Sequence, residues 1–426
     1  MLPVAGILVI FTLLVLLILS LFLYIHWKRR KFSHIYCPKY SNFLLAHLQE
    51  IIKHGNFSQI ILQWANESEG TAFVLFSSWR VHIHFFDTGF VREILGSSKF
   101  MKASTGILTA SMSGMPVLGK KSLLTDPGTK EWAHKRRKLD PFFHANGLKN
   151  SHSDMVDIAQ ATVDNFIEDA KAHQLTDVSS GLLKGVAFVI AKVVLDIKDQ
   201  EAFYRNAPKL TRVLNALAVK ARHKNTFWLP WSHTELKREC KDDITELRSY
   251  FKSHILNENI LESTVLGQVI LSNSVPEGVD LENVVNDMVT FFFAGIETSV
   301  HTMNFALYEM LRNPDQFQEI EEEVLEIYDG QGSISYSDLK DLKCLDNFVK
   351  ETLRLHPVVS GIQRVSGSRD ISVCGMHVPA NTTLHVGIES VQVLHIITYI
   401  HICISSSSDL NKLFYLNINK HWNMTM

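Results

Sequence analysis

Hydrophobic positions along the chain recur mostly with the spacing of α-helices, and two short stretches have the composition of β-strands. Residues 2–25 are almost entirely apolar and carry no charge. Apolar residues then repeat at helical spacing through 155–195 and 202–256. The stretches 73–76 and 81–85 are rich in β-formers and predict a hairpin. The pattern therefore predicts a mainly α-helical protein with a small β-region.

The N-terminal apolar stretch predicts a membrane anchor. About 20 apolar residues cross a bilayer, and this stretch is followed at once by Trp27 and the basic cluster 28–31. A cleaved signal peptide is the alternative, but the apolar run is too long and no small-residue cleavage site follows it. We predict a signal anchor over residues 1–27 and a basic linker and hinge over residues 28–48. The basic cluster places the bulk of a single-pass protein in the cytosol.

A long helix is predicted around residues 287–304. Asp280 is a suitable N-cap, the apolar pattern continues to Leu311, and a Pro-containing stop follows. Gly295 is unusual there, because glycine within a helix costs ~1 kcal/mol relative to alanine. Glu297 and Thr298 are unusual because they follow an almost wholly apolar segment. A glutamate that simply faces solvent is one interpretation. The other is that Gly295 makes room for a flat ligand, to which the acid and the alcohol pass protons.

Two other pairs of residues have helical spacing. Trp132 and Arg136 are four apart and share a helix face, where an arginine beside an aromatic ring can present a forked donor to a carboxylate. A solvated basic face that includes Lys135 is the alternative. Glu351 and Arg354 are three apart, and their apolar flanks predict a buried, structurally required pair rather than an exposed one.

Composition narrows the class of protein. The chain has 426 residues, with 42 Lys and Arg against 44 Asp and Glu, so its charge gives no reason to expect a nucleic-acid partner. The five cysteines are scattered without metal-finger spacing, which suits reduced thiols in a cytosol-facing protein. We predict no metal site built from protein residues alone.

These motifs resemble those of the cytochrome P450 monooxygenases in type, order and approximate spacing. Residues 294–298 match the family pattern Ala/Gly-Gly-x-Asp/Glu-Thr. The tryptophan–arginine pair, the Glu-x-x-Arg helix and a later arginine match three further family motifs. The resemblance extends from the anchor to about residue 389, and it predicts a partial P450 domain over residues 49–390.

The resemblance implies haem as the cofactor and an apolar, sterol-like substrate. It also implies electrons from NADPH through a flavoprotein reductase, and residence in the endoplasmic reticulum membrane. By the same resemblance, Glu297 and Thr298 would be catalytic, and Glu351 and Arg354 would hold the scaffold. The residues implied to contact haem are Trp132, Arg136, Ala294, Gly295 and Arg364.

One part of the family pattern is absent from the sequence. The family places its iron-binding cysteine in a Phe-x-x-Gly-x-Arg-x-Cys-x-Gly loop, because a thiolate donor favours O–O cleavage. Cys403 has no glycine, arginine or aromatic residue at the required offsets. Residues 391–426 contain no Gly, Pro, Ala, Arg or Glu, which indicates a non-homologous tail, such as translated non-coding sequence. A divergent but genuine C-terminus is the alternative.

This gap leaves a second functional hypothesis open. The chain as written would then be a truncated, haem-free and catalytically inactive membrane protein. On sequence alone, we expect no thiolate–haem signal from it.

Overall fold

The computed structural model describes residues 4–43, 45–69, 71–77, 80–97, 99–102, 118–119, 121–172, 176–206, 208–209, 212–213, 234–257, 260–275, 278–328, 334–359 and 361–392. The chain forms two compact units. The described residues within 1–102 and 359–392 form one, which we call the sheet unit, and the described residues within 103–358 form the other, the helical unit.

The described elements follow the predicted mainly helical pattern. In chain order they are α1 (Val4–Arg30), α2 (His47–His54), α3 (Phe57–Glu67), β1 (Ala72–Ser77), β2 (Arg80–Phe85), α4 (Thr88–Gly96), β3 (Met101–Lys102), α5 (Lys130–Leu139), α6 (Ala145–Asn150), α7 (His152–Lys171), α8 (Val178–Val193), α9 (Thr234–Asn257), α10 (Val265–Ser272), β4 (Ser274–Val275), β5 (Gly278–Val279), α11 (Leu281–Arg312), α12 (Pro314–Ile327), α13 (Lys343–Leu355), β6 (Gly361–Val365), β7 (Ile371–Val373), β8 (Met376–Val378) and β9 (Thr383–Gly387).

The sheet unit contains the predicted hairpin. Strands β1 and β2 pair antiparallel, and the five-stranded sheet has the order β1-β2-β9-β6-β3. Strand β9 is parallel to β2 and antiparallel to β6. Alternate residues of β1, β2 and β9, such as Val74, Ile83 and Leu384, point to one buried apolar face. The β-region expected from short apolar runs is therefore confirmed.

Helix α1 is the membrane-anchor candidate. Residues Phe11–Arg30 are long and apolar enough to cross a bilayer, with mean hydropathy 1.9, and this test rests on length and composition alone. Most of its large apolar side chains from Phe11 to Trp27 are exposed. At the end of the helix, the Arg29 guanidinium donates a hydrogen bond of 2.7 Å to the Phe43 carbonyl.

In the helical unit, α11 has the predicted limits. The Asp280 side chain caps it by accepting a hydrogen bond from the Asn283 backbone N–H, and Asn313 ends it. Phe292 is fully buried on this helix, and its ring meets those of Phe203 and Phe251 edge-on at 5.5 and 5.7 Å. Helix α11 is thus a central packing element of the helical unit.

Three histidines on the other face of the sheet predict sensitivity to acid. His84 and His385 are register partners with ring centroids 4.4 Å apart, and the Nδ1 atom of each is buried without a hydrogen-bond partner among the described residues. Burial lowers the pKa of His82 and of His385 to about 4, and burial lowers that of His84 well below its ordinary value. All three are therefore neutral in the folded chain near neutral pH.

We expect the folded chain to lose stability as the pH falls from about 6.5 towards 4. Over this range the unfolded chain takes up protons at its ordinary histidine pKa of about 6.5, whereas the folded chain does not. His82 and His385, whose pKa in the folded chain is about 4, should each remove about 2 kcal/mol by pH 5. Urea unfolding from pH 7.5 to 5 measures the slope, which should be reduced in His84→Phe. The exposed-residue control His54→Phe should keep the wild-type slope, and equal slopes in all three chains would contradict the prediction.

Candidate active site

One face of α11 brings the predicted acid and alcohol together. Ala294, Glu297, Thr298 and His301 are spaced i, i+3, i+4 and i+7, so they lie on the same side of the helix. Ala294 is exposed, and the Glu297 side chain is 45% exposed, whereas the neighbouring Ile296 is fully buried. This accessible face, residues 294, 297, 298 and 301, is called the α11 site face below.

Hydrogen bonds hold the polar side chains of this face close to their own helix. The Thr298 hydroxyl donates to the Ala294 carbonyl at 2.8 Å. His301 Nδ1 lies 2.9 Å from the Glu297 carbonyl oxygen and 3.5 Å from its carboxylate Oε1. His301 was not predicted from the sequence, although its position one turn after Glu297 indicates that the two share a helix face. The face can exchange protons with solvent, because its acid is half exposed.

Gly295 does not lie on this face. A Cβ added to it would lie 2.7 Å from Cδ1 of Ile190 on α8. The space left by the missing side chain therefore accommodates Ile190 of a neighbouring helix, and contact of Gly295 with haem stays a prediction. Ala294, its neighbour, is the small residue that stands on the accessible side.

The predicted tryptophan–arginine pair lies on α5. Thr129 caps the helix by accepting a hydrogen bond from the Trp132 backbone N–H. The Trp132 indole Nε1–H donates to the Leu123 carbonyl at 2.9 Å, so its polar end is fixed within the helical unit. The Arg136 side chain is exposed. Its guanidinium can therefore offer a forked donor to a carboxylate, as the pattern predicts.

The alternative interpretation of α5, a solvated basic face that includes Lys135, is wrong for Lys135. It is only 6% exposed, and its Nζ lies 2.7 Å from Oδ2 of Asp287, which is fully buried on α11. Burial raises the pKa of Asp287, and the Lys135 ammonium opposes that shift. A lone carboxylate within an apolar run was the sequence signal for this pair, because such a group needs a buried partner.

The Glu-x-x-Arg pair is formed but not buried. Arg354 donates from Nε and Nη2 to the two carboxylate oxygens of Glu351 at 2.7 and 2.6 Å. The Glu351 side chain is 56% exposed, so the prediction of a buried pair is wrong. Helix α13 is instead linked to α11 by His356, whose Nε2 lies 2.8 Å from Oε1 of the buried Glu309.

Arg364 lies on β6 of the sheet unit. Its Nη1 donates to the neighbouring Gln363 carbonyl at 2.9 Å. The other predicted site residues all belong to the helical unit. A shared site for Arg364 and Arg136 stays a prediction.

The described residues include exposed groups that are predicted to contact haem, but no cysteine in the family's iron-binding loop. Contact of the α11 site face and of the exposed Arg136 with haem stays a prediction. Burial raises the pKa of the Cys37 thiol to about 11. Burial and the Glu93 carboxylate raise that of Cys374, while a hydrogen bond to Glu323 raises that of Cys344. The fourth described cysteine, Cys240, is buried in the apolar core. None of these settings favours a thiolate, and Cys403 lies outside the described residues.

Comparisons with known proteins identify the family. The cytochrome P450 family model matches residues 37–393. Cytochrome P450 4d2 of Drosophila melanogaster is 26% identical over 295 residues, which are 62% of this chain and 58% of the relative. Cytochrome P450 3A12 of Canis lupus familiaris is 24% identical over 296 residues, covering 64% of this chain and 57% of the relative.

A longer match is found with cytochrome P450 4A11 of Homo sapiens, at 24% identity over 392 residues, or 85% of this chain and 73% of the relative. The chain spans little more than half the length of the 4d2 and 3A12 relatives. The family model nevertheless covers most of the chain, in the region that contains α5, α11 and α13. The chain therefore belongs to the cytochrome P450 family.

Proposed function

We propose that this protein is a haem-dependent monooxygenase that inserts one oxygen atom of O2 into a C–H bond of an apolar substrate. Two electrons from NADPH, passed on by a membrane-bound flavoprotein reductase, and two protons convert the second oxygen atom to water. The observation that carries the proposal is the α11 site face, where an acid and an alcohol stand beside an exposed alanine on a helix that the family model covers.

In this proposal haem, when bound, supplies the binding and activation of O2. The residues of the chain transfer protons and hold the haem in place. Glu297 is half exposed, so it exchanges protons with bulk water. The Thr298 hydroxyl donates to a helix carbonyl and keeps its lone pairs for a second partner. Together they form a short route from solvent to the site face, as general acid–base catalysis requires. Arg136 would hold a propionate.

A sterol is the proposed substrate. Residues 41–47, 290–298 and 350–364 resemble the corresponding segments of cholesterol 24-hydroxylase, an enzyme that acts on a sterol side chain. We place the protein in the endoplasmic reticulum membrane, anchored by α1, with the P450 domain in the cytosol. The near-even charge balance supports a small-molecule substrate rather than a nucleic acid.

A second candidate is a membrane-anchored protein that binds no haem and has no catalytic activity. The observation that favours it is that none of the four described cysteines lies in the family's iron-binding loop. The sequence-based expectation of no thiolate–haem signal also favours this second candidate. The monooxygenase proposal requires bound haem and an oxygenated product, so one experiment separates the two.

The experiment is reconstitution of the full chain with an NADPH-dependent flavoprotein reductase, cholesterol and isotopically labelled O2. The proposal predicts a sterol product that carries one labelled oxygen atom and forms only with NADPH. Loss of the product in Cys403→Ser would contradict the assignment of residues 391–426 as a non-homologous tail, because Cys403 lacks the flanking glycine, arginine and aromatic residues of the family loop. A wild-type chain that gives no product and retains no haem would establish the second candidate instead.

A further inference from the structure

An ion pair inside the helical unit joins the two helices that carry the proposed site residues. Lys135 on α5 and Asp287 on α11 have side chains that are 8% and 0% exposed, and their charged atoms are 2.7 Å apart. The proposed reaction gives neither residue a role. Lys135 directly precedes Arg136 in the chain, and Asp287 stands three turns before Thr298.

The ion pair is held by further hydrogen bonds from separate parts of the helical unit. Asp287 Oδ1 accepts from the Leu123 N–H at 2.8 Å, and Oδ2 also accepts from Asn273 Nδ2 at 3.1 Å. Lys135 Nζ also donates to the Lys121 carbonyl at 3.2 Å. Hydrogen bonds weaken steeply with distance and angle, so this arrangement fits only one placement of α5 against α11.

Leu123 extends the connection to the predicted haem-contacting tryptophan. Its N–H donates to Asp287 while its carbonyl accepts from the Trp132 indole at 2.9 Å. Trp132 is therefore tied to α11 through a single residue of the intervening turn. Two routes, one through Lys135 and one through Leu123, lead from Asp287 to the α5 residues of the proposed site.

Net stability does not explain such a pair. Replacing a buried ion pair with apolar residues of similar volume is often neutral or stabilising, whereas removing one partner is strongly destabilising. An apolar contact also tolerates small shifts that a bonded carboxylate does not. We propose that the Asp287–Lys135 ion pair is a positioning element that fixes α5 against α11, and so fixes Trp132 and Arg136 relative to Thr298. The reason why this placement matters rests on the proposed function.

The test separates stability from position. Asp287→Asn, Lys135→Met and the double variant are compared with the wild-type full chain. Genetically encoded spin labels are placed at the exposed positions Arg137 on α5 and Met303 on α11. Each single variant should lower the urea midpoint by about 1 M, since it strands a buried charge. The double variant should recover most of that loss, but its label-to-label distances should shift or broaden beyond the wild-type distribution.

The Lys192–Asp154 pair provides a matched control. It has the same 2.7 Å separation and also joins two helices of this unit, but its side chains are 31% and 44% exposed. Asp154→Asn should leave both the urea midpoint and the label distances unchanged. A double variant with the wild-type distance distribution would overturn the positioning role, even if a single variant fails to fold. The distance measurement needs neither haem nor turnover, so its failure is distinct from failure of the monooxygenase proposal.

Discussion

Replacing Phe292 by alanine is expected to lower the free energy of unfolding by about 3–5 kcal/mol. The ring is fully buried on α11 and meets Phe203 and Phe251 edge-on, with interplanar angles of 83° and 89°. Alanine would leave a cavity where these rings meet and would remove both aromatic contacts. Urea unfolding of the purified chain measures the loss.

The matched control is Phe317→Ala on α12. Phe317 is 47% exposed, so its truncation should cost less than about 1 kcal/mol. Hydrogen exchange should show the Phe292→Ala effect as faster opening of the helical unit. Equal losses for the two variants would contradict the assignment of α11 as a central packing helix.

Thr298→Ala and Glu297→Gln are each expected to slow oxygen insertion by about 10²-fold or more, the range for loss of a positioned proton-transfer group. Both residues lie on the accessible side of α11, and neither contributes to the buried core. Stability should therefore change by less than about 1 kcal/mol. The measurement is product formed per NADPH consumed in the reconstituted system, with urea unfolding in parallel.

Thr302→Ala is the control for the hydroxyl. Thr302 stands one turn further along α11, and its hydroxyl donates to the Thr298 carbonyl at 2.9 Å, in the same manner as Thr298 donates to Ala294. Loss of the Thr302 hydroxyl should leave product formation within about twofold of wild type, because this hydroxyl does not belong to the α11 site face. Equal loss of product in Thr298→Ala and Thr302→Ala would show that both hydroxyls only stabilise helix α11. That result would contradict a role for Thr298 in proton transfer.

The main elements of the fold could be predicted because their signals are local. The limits of α11 follow from the Asp280 cap and the Asn313–Pro314 stop, and the β1–β2 hairpin follows from two β-rich runs. The parallel pairing of β2 with β9 could not be predicted in this way. It joins residues about 300 positions apart in the sequence, and no local pattern encodes that partner.

The site was predicted less completely, because burial depends on tertiary neighbours. Lys135 was interpreted as solvated from its basic surroundings, yet its partner Asp287 lies far away in the chain. Gly295 was interpreted as ligand space, but the neighbour that fills the space is Ile190 of another helix. Glu351 was predicted to be buried from its apolar flanks, yet those flanks leave the carboxylate exposed. Local spacing predicted the Glu351–Arg354 ion pair correctly but not its exposure.

The most direct test concerns where a thiolate for haem could come from. The measurement is the reduced, carbon-monoxide-bound spectrum of the full chain and of a variant in which serine replaces Cys37, Cys240, Cys344 and Cys374. Because none of these four cysteines lies in a Phe-x-x-Gly-x-Arg-x-Cys-x-Gly loop, the two spectra should be the same. A thiolate–haem signal that is present in the wild-type chain and lost in the fourfold variant would contradict this account of the site.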